Sequence, residues 1–149
     1  MNVDLKTAGE ALRHEKEVSV LTAGRSMQPL FREHRDIVTV KRVENGLKKG
    51  DVVLYPGGDG AFILHRIMRI KADHFVIRGD NNYFTEYIPK DRVIGVLKDF
   101  YRGGKYVDIN KSFKYKLYTF YICHSYFLRY PLKRIIRPFL GKIKRKIFK

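Results

Sequence analysis

The sequence predicts a mainly β domain whose strands are mostly antiparallel and folded over one another. A short helix precedes it and a basic, amphipathic helical tail follows. Three observations carry that expectation. Seven short runs rich in β-branched residues follow one another with no helical stretch between them. Turn chemistry separates them: Asn45-Gly46, Lys49-Gly50-Asp51, Pro56 to Gly60, Gly79-Asp80-Asn81-Asn82 and Gly103-Gly104. The composition then changes abruptly. Residues 1–110 hold 19 Lys and Arg against all 15 Asp and Glu, whereas residues 111–149 hold 12 Lys and Arg and no acid. A chain of 149 residues with 44% apolar content is expected to form one β domain over 1–110 and a separate tail over 111–149.

Residues 4–15 read as the short helix, because Leu5, Ala8, Ala11 and Leu12 recur near helical spacing and Asp4 can cap its start. The strands are expected at Glu17–Thr22, Asp36–Val43, Asp51–Tyr55, Ala61–Ile70, His74–Gly79, Arg92–Phe100 and Lys105–Ile109. Short antiparallel runs at this spacing are the pattern of a closed or folded-over sheet. From Ser112 the chain is aromatic and basic. Leu132, Ile135, Ile136, Phe139, Leu140, Ile143 and Ile147 then share one helical face, interrupted by Pro138 and Gly141, which predicts two short helices or one kinked helix.

The net charge of +16 therefore belongs mainly to the tail, whose sign seeks phosphate on lipid or nucleic acid. A lone cysteine, Cys123, excludes an intrachain disulfide framework. The first residues mix acids and bases without an apolar core, so no N-terminal targeting segment is expected. The longest apolar-leaning run, Leu117–Leu128, falls short of the roughly 20 residues that a bilayer crossing needs. The expected location is cytoplasmic or peripheral to a membrane.

One stretch does not fit a structural pattern. In "GRSMQPLF", Gly24 to Phe31, a serine sits on a constrained turn: Gly24 lets the chain turn sharply and Pro29 fixes its exit. Such a turn can present backbone N–H groups to an oxyanion, but Ser26 would also need a base to take its proton. Most Gly-x-Ser turns are only turns, so the fragment alone favours no chemistry.

Downstream fragments change that balance. "GRSMQP", "LKKGDVVLY", "ILHRIMRI", "VIRGDNN" and "VIGVL", in this order from about Thr22 to Leu97, resemble the signal peptidase I and SOS-repressor superfamily of serine peptidases. The resemblance implies a coiled β fold and a nucleophilic serine in the Ser-Met motif, here Ser26. Where the bacterial members carry a lysine base, this chain has His65, which is similar to the archaeal and endoplasmic-reticulum branch. That branch has functional acids in and after a Gly-Asp-Asn-Asn stretch. Asp80 matches the first, and Thr85-Glu86 stands in place of the later acidic pair.

His65 suits the role chemically, since imidazole titrates near neutrality and can pass a proton from nucleophile to leaving amine. Strand alternation puts it beside Ile63, Ile67 and Arg69, half-buried, with Leu64, Arg66, Met68 and Ile70 on the other face. An acid on the second ring nitrogen would fix the tautomer; Asp80 is the expected one and Glu86 the alternative. Asp80 could equally be only a turn residue. His14, His34, His74 and His124 have surface or packing contexts, no metal-ligand spacing connects them, and no cofactor is expected.

The resemblance implies a precursor peptide held as an added strand, with small side chains before the scissile bond. "SMQPLF" and "AFILH" would border its pockets. A typical signal peptidase has an N-terminal spanning helix, and this sequence offers none. That departure leaves a free processing peptidase, one tethered at an anionic membrane by the basic tail, or a self-cleaving regulator cut at Ala8-Gly9 or Ala23-Gly24. The last ranks third, because the residues before Ser26 are too few for a DNA-binding domain. From a different class, the chain could be a catalytically inactive β domain that binds membrane or nucleic acid through its tail. Stacking of bases on Tyr115, Tyr118, Phe120 or Tyr126 would serve the second partner. The apolar stripe of the tail favours a lipid surface over nucleic acid.

Overall fold

The computed structural model of the chain describes residues 7–58 and 60–125. The expected cap at Asp4, the turn residue Asp59, Tyr126 and the apolar stripe of 132–147 lie outside the described residues.

The molecule is mainly β. A helix, α1 (Ala8–His14), leads into β1 (Glu17–Leu21), β2 (Ile37–Arg42), β3 (Val52–Pro56), β4 (Phe62–Ile70), β5 (His74–Arg78) and β6 (Glu86–Pro89). A single 3-10 turn at Lys90–Arg92 precedes β7 (Gly95–Arg102) and β8 (Lys105–Asp108), and α2 (Phe113–His124) ends the described chain. The strands form one antiparallel sheet in the order β1-β2-β7-β3-β4-β5-β6, with β8 beside β7, curled into a half-barrel. All seven expected runs are strands, with ends displaced by up to three residues. β6 was not anticipated: Glu86–Pro89 is four residues long, too short to show a period, and gains its identity only by pairing with β5.

β7 curls the sheet. It pairs with β2 along most of its length, with β3 through Gly95 and Val96, and with β8 from Asp99 to Arg102. A register shift between Thr39 and Val40 marks a bulge, the device that bends a strand and increases its local twist. β3 lies between two apolar layers, which is why it reads as an unbroken hydrophobic run. Val52 and Leu54 join a cluster with Val20, Val38, Leu97 and Phe100, whereas Val53 and Tyr55 join one with Ile67, Ile77 and Ile88. Each such side chain contributes about 1.5–3 kcal/mol relative to an exposed position.

The helices pack on this frame. α1 buries Ala8 and Leu12, and Arg42 donates to the carbonyls of Leu12 and Arg13 at the helix end. The Ser112 hydroxyl accepts from Tyr115 N–H at 3.2 Å and caps α2. Tyr115 belongs to the first apolar cluster and Ile122 is buried. The segment that composition separates at residue 111 is therefore joined to the β body as far as Ser125. Among the described residues no helix is long and apolar enough to cross a membrane.

Candidate active site

Ser26 lies in the long connection from β1 to β2, which is closed on itself by short-range bonds. Thr22 donates its hydroxyl to the carbonyls of Arg32 and Asp36, at 2.7 and 2.9 Å. Glu33 accepts from Gly24 N–H at 3.1 Å and from Arg25. Gly24 has φ +79°, the left-handed region that glycine enters without strain, and the Gln28–Pro29 peptide is cis. Met27, Leu30 and Phe31 are buried beneath the turn, so the apolar letters around the serine are its anchors.

The Gly79–Asn82 turn clasps the serine turn from the other side. Asn81 N–H donates to the Ser26 carbonyl at 2.7 Å, and the Asn81 amide donates to the Arg25 carbonyl at 3.1 Å. A Cβ placed on Gly79 would stand 2.7 Å from the Ser26 carbonyl oxygen and 3.0 Å from His65 Nε2. Ser26 and His65 are therefore neighbours across Gly79, and only a residue without a side chain lets them approach. Gly79→Ala should push the serine turn off the imidazole, because the first obstacle is backbone and cannot swing away. The expected result is a lower thermal midpoint, by about 1–3 kcal/mol of stability, read by calorimetry.

His65 is buried, at 4% exposure, rather than half-buried as its strand position suggests. Its Nδ1 lies 2.9 Å from Glu86 Oε1. The Tyr55 hydroxyl lies 3.0 Å from Nδ1 and donates to Glu86 Oε2 at 3.0 Å. A carboxylate at Nδ1 holds the proton there and leaves the lone pair on Nε2. Nε2 is buried and makes no hydrogen bond, to Ser26 or to any other group of the described chain. Burial lowers the imidazole pKa below its ordinary value of 6.5, against the Glu86 charge and hydrogen bond, which raise it. Burial and then Glu86 raise the Tyr55 phenol, so it stays protonated as a donor.

Asp80 is not the carboxylate on Nδ1. Its oxygens accept from Arg66 Nε at 2.8 Å and Nη2 at 2.7 Å, and Tyr118 donates to Oδ2 at 3.0 Å. Alternation explains the exchange. Ile67 pairs with Ile77, and Ile77 with Glu86, so Glu86 lies on the His65 face. Arg66 pairs with Arg78, and Asp80 follows Arg78 by two residues, which carries both to the opposite face. Tyr55, opposite Ile63 in the β3–β4 hairpin, is diagonal to His65. Sequence reasoning missed Tyr55, although the hairpin register alone locates it.

Thr22, Ala23, Met27, Phe62, Leu64 and Phe84 help to line a cleft of about 350 Å³ that Ser26, His65 and Glu86 also border. One wall is a free strand edge. β4 pairs with β3 from Phe62 to Arg66, but with β5 only from Arg66 onward. The other edge of Phe62–His65 pairs with no strand among the described residues. Arg69 leaves the expected face because a register shift intervenes between Ile67 and Arg69. Of the other histidines, His74 bonds Asp73 and His124 bonds the Phe120 carbonyl; His34 lies beside Glu33 and is exposed. Among the described residues no three His, Cys, Asp or Glu side chains are grouped to hold a metal ion. In comparisons with known proteins, no family model and no curated protein matches the chain.

Proposed function

We propose that the chain is a serine endopeptidase of the signal-peptidase-like kind that removes a leader or signal peptide from a precursor at or near a membrane. The observation that carries the reading is the His65 ring. It is buried, held through Nδ1 by Glu86, and presents an unbonded Nε2 beside Ser26 at an apolar cleft. A structural histidine would have both nitrogens satisfied, because an orphaned buried acceptor costs about 1–3 kcal/mol.

The substrate backbone pairs with the free edge of Phe62–Leu64 and its side chains enter the cleft. The Ser26 oxygen attacks the scissile carbonyl while Nε2 takes the hydroxyl proton. Collapse of the tetrahedral adduct breaks the C–N bond, and His65 returns that proton to the leaving amine. Water, deprotonated by the same nitrogen, then hydrolyses the acyl-enzyme and restores Ser26. Glu86 and Tyr55 keep the tautomer, and Glu86 stabilises the imidazolium that forms in each half. In free enzymes the serine–histidine contact is often open and tightens with substrate, consistent with the unbonded Nε2.

Incubation with a proteome-derived peptide library, with new termini identified by mass spectrometry, tests this. The wild-type chain should generate a consistent set of cleavages, and Ser26→Ala and His65→Ala should each reduce them by about 10³-fold or more. Equal cleavage by all three proteins would show that the serine and histidine are not the machinery. A wild-type chain that cuts nothing would instead favour the inactive binding domain.

A further inference from the structure

Among the described residues, one apolar face of α2 packs on the body and a second is exposed. Tyr115 and Ile122 face the body, and the helix is fastened there by polar contacts: Tyr118 donates to Asp80 at 3.0 Å and Arg66 donates to Thr119 at 3.1 Å. On the opposite side Phe113 (76% exposed), Leu117 (57%), Phe120 (62%) and Tyr121 (53%) stand in the open. At about 100° per residue these four fall within a stripe roughly 100° wide. Lys114 and Lys116 are exposed and flank it on its two sides. Four large, mostly apolar side chains exposed in one row form the kind of contiguous patch that marks an interaction surface.

We propose that this face of α2 seats in the headgroup region of an anionic bilayer, its four apolar side chains inserted and its flanking lysines on the lipid phosphates. This gives a surface to the membrane proximity proposed above, but it does not depend on the chemistry of Ser26. Charge selects the occupant. The segment 111–149 carries 12 Lys and Arg and no acid, so a partner must supply negative charge as well as an apolar phase. An anionic leaflet supplies both, at about 1 kcal/mol per basic residue near its surface, together with the burial of the stripe. Nucleic acid would meet the charge but fits the face less well. Of the expected stacking platforms Tyr115 is buried, Tyr118 is tied to Asp80 and Phe120 is already stacked on His124, and Leu117 in the middle of the stripe offers no ring to a base. A protein groove would take the stripe and leave the cations without a counterpart. Because α2 is fastened to β4 and the Gly79–Asn82 turn, seating it would hold the whole body in one orientation.

The chain contains no tryptophan, so an introduced one is a unique reporter. In the full chain carrying Ser26→Ala, Leu117→Trp and Phe120→Trp would be compared with Tyr87→Trp, an exposed site on β6 (68%). With phosphatidylglycerol vesicles, emission from 117 and 120 should shift to the blue and become shielded from an aqueous quencher. Emission from 87 should not, and phosphatidylcholine vesicles should change neither. Lys114→Glu with Lys116→Glu should weaken vesicle partitioning by at least about thirtyfold. Sedimentation with the vesicles while 117 and 120 stay exposed would overturn the proposal, since the remaining tail alone would then bind. So would shielding before any vesicle is added, which would mean that residues 126–149 or a second copy cover the face. An equal shift with polynucleotide would also overturn it. Because the nucleophile is absent throughout, none of these outcomes bears on the peptidase reading.

Discussion

Asp80→Asn should destabilise the protein by about 3–5 kcal/mol, seen as a lower urea midpoint. The reason is Arg66, the largest fully buried side chain among the described residues, at 0% exposure. Burial by itself would lower the guanidinium pKa, but the Asp80 charge and hydrogen bonds outweigh it and hold the group above its ordinary value. Arginine does not shed its proton, so removal of the carboxylate strands a cation in the interior. An asparagine amide would aim a donor at a group that is all donors. The damage should reach α2, because Arg66 also bonds Thr119 and packs its charge over the rings of Tyr115 and Tyr118, 5.8 and 5.7 Å away. Arg66→Met with Asp80→Asn should recover at least half of the loss, since replacement of both partners leaves no buried charge. If Asp80 instead assisted His65, Asp80→Asn would leave the urea midpoint within about 1 kcal/mol of wild type and reduce cleavage alone.

The pair also shows where a reading of the sequence reaches its limit. The seven strand runs were visible because alternation and turn residues are local signals, and His65 was conspicuous on a strand rich in isoleucine. Alternation places Arg66 only on the face opposite His65, because nothing local distinguishes a solvated arginine from one covered by a helix almost fifty residues later. Its burial depends on Tyr115 and Thr119 arriving from α2, which is tertiary information. The choice between Asp80 and Glu86 was of the same kind. It turns on β6, four residues with no period of their own, and on the register that lines Glu86 up with Ile77 and Ile67. Along β5 and the two residues that continue it, alternation decides: Asp80, two positions beyond Arg78, shares the Arg66 face, whereas Glu86 on β6 is placed by its pairing with Ile77. Gly79, at odd parity, falls between Ser26 and His65. "GDNN" is thus two devices, a glycine that admits the serine turn to the imidazole and an aspartate that neutralises the far side of the same strand.

The electrostatics of His65 make Glu86→Gln the most informative change at the site. Cleavage by a neutral imidazole should fall as the pH drops through the folded-state pKa of His65, and burial sets that value below 6.5. The acid limb of the wild-type profile should therefore have its midpoint below 6.5. Stability has the same sign. Unfolded chains bind the proton at the ordinary value and the folded chain at a lower one, so this group adds stability as the pH rises through that window and removes it as the pH falls. The Glu86 charge opposes burial by favouring the imidazolium. A glutamine there removes the opposition, and the acid limb should move to still lower pH. The rate on the plateau should nevertheless fall, by about 10²–10⁴-fold, because the neutral amide no longer stabilises the imidazolium and tolerates either tautomer. A lower limb with a slower plateau is not what a packing role would give. If Glu86 only filled space beside Tyr55, Glu86→Gln would keep the limb in place and alter KM or thermal stability instead. Tyr55→Phe separates the two contributions. It removes one donor from the carboxylate while leaving the charge, so its limb should stay above that of Glu86→Gln. Should the two substitutions move the limb equally, the proton on His65 would be governed by the hydrogen-bond network rather than by the charge of Glu86.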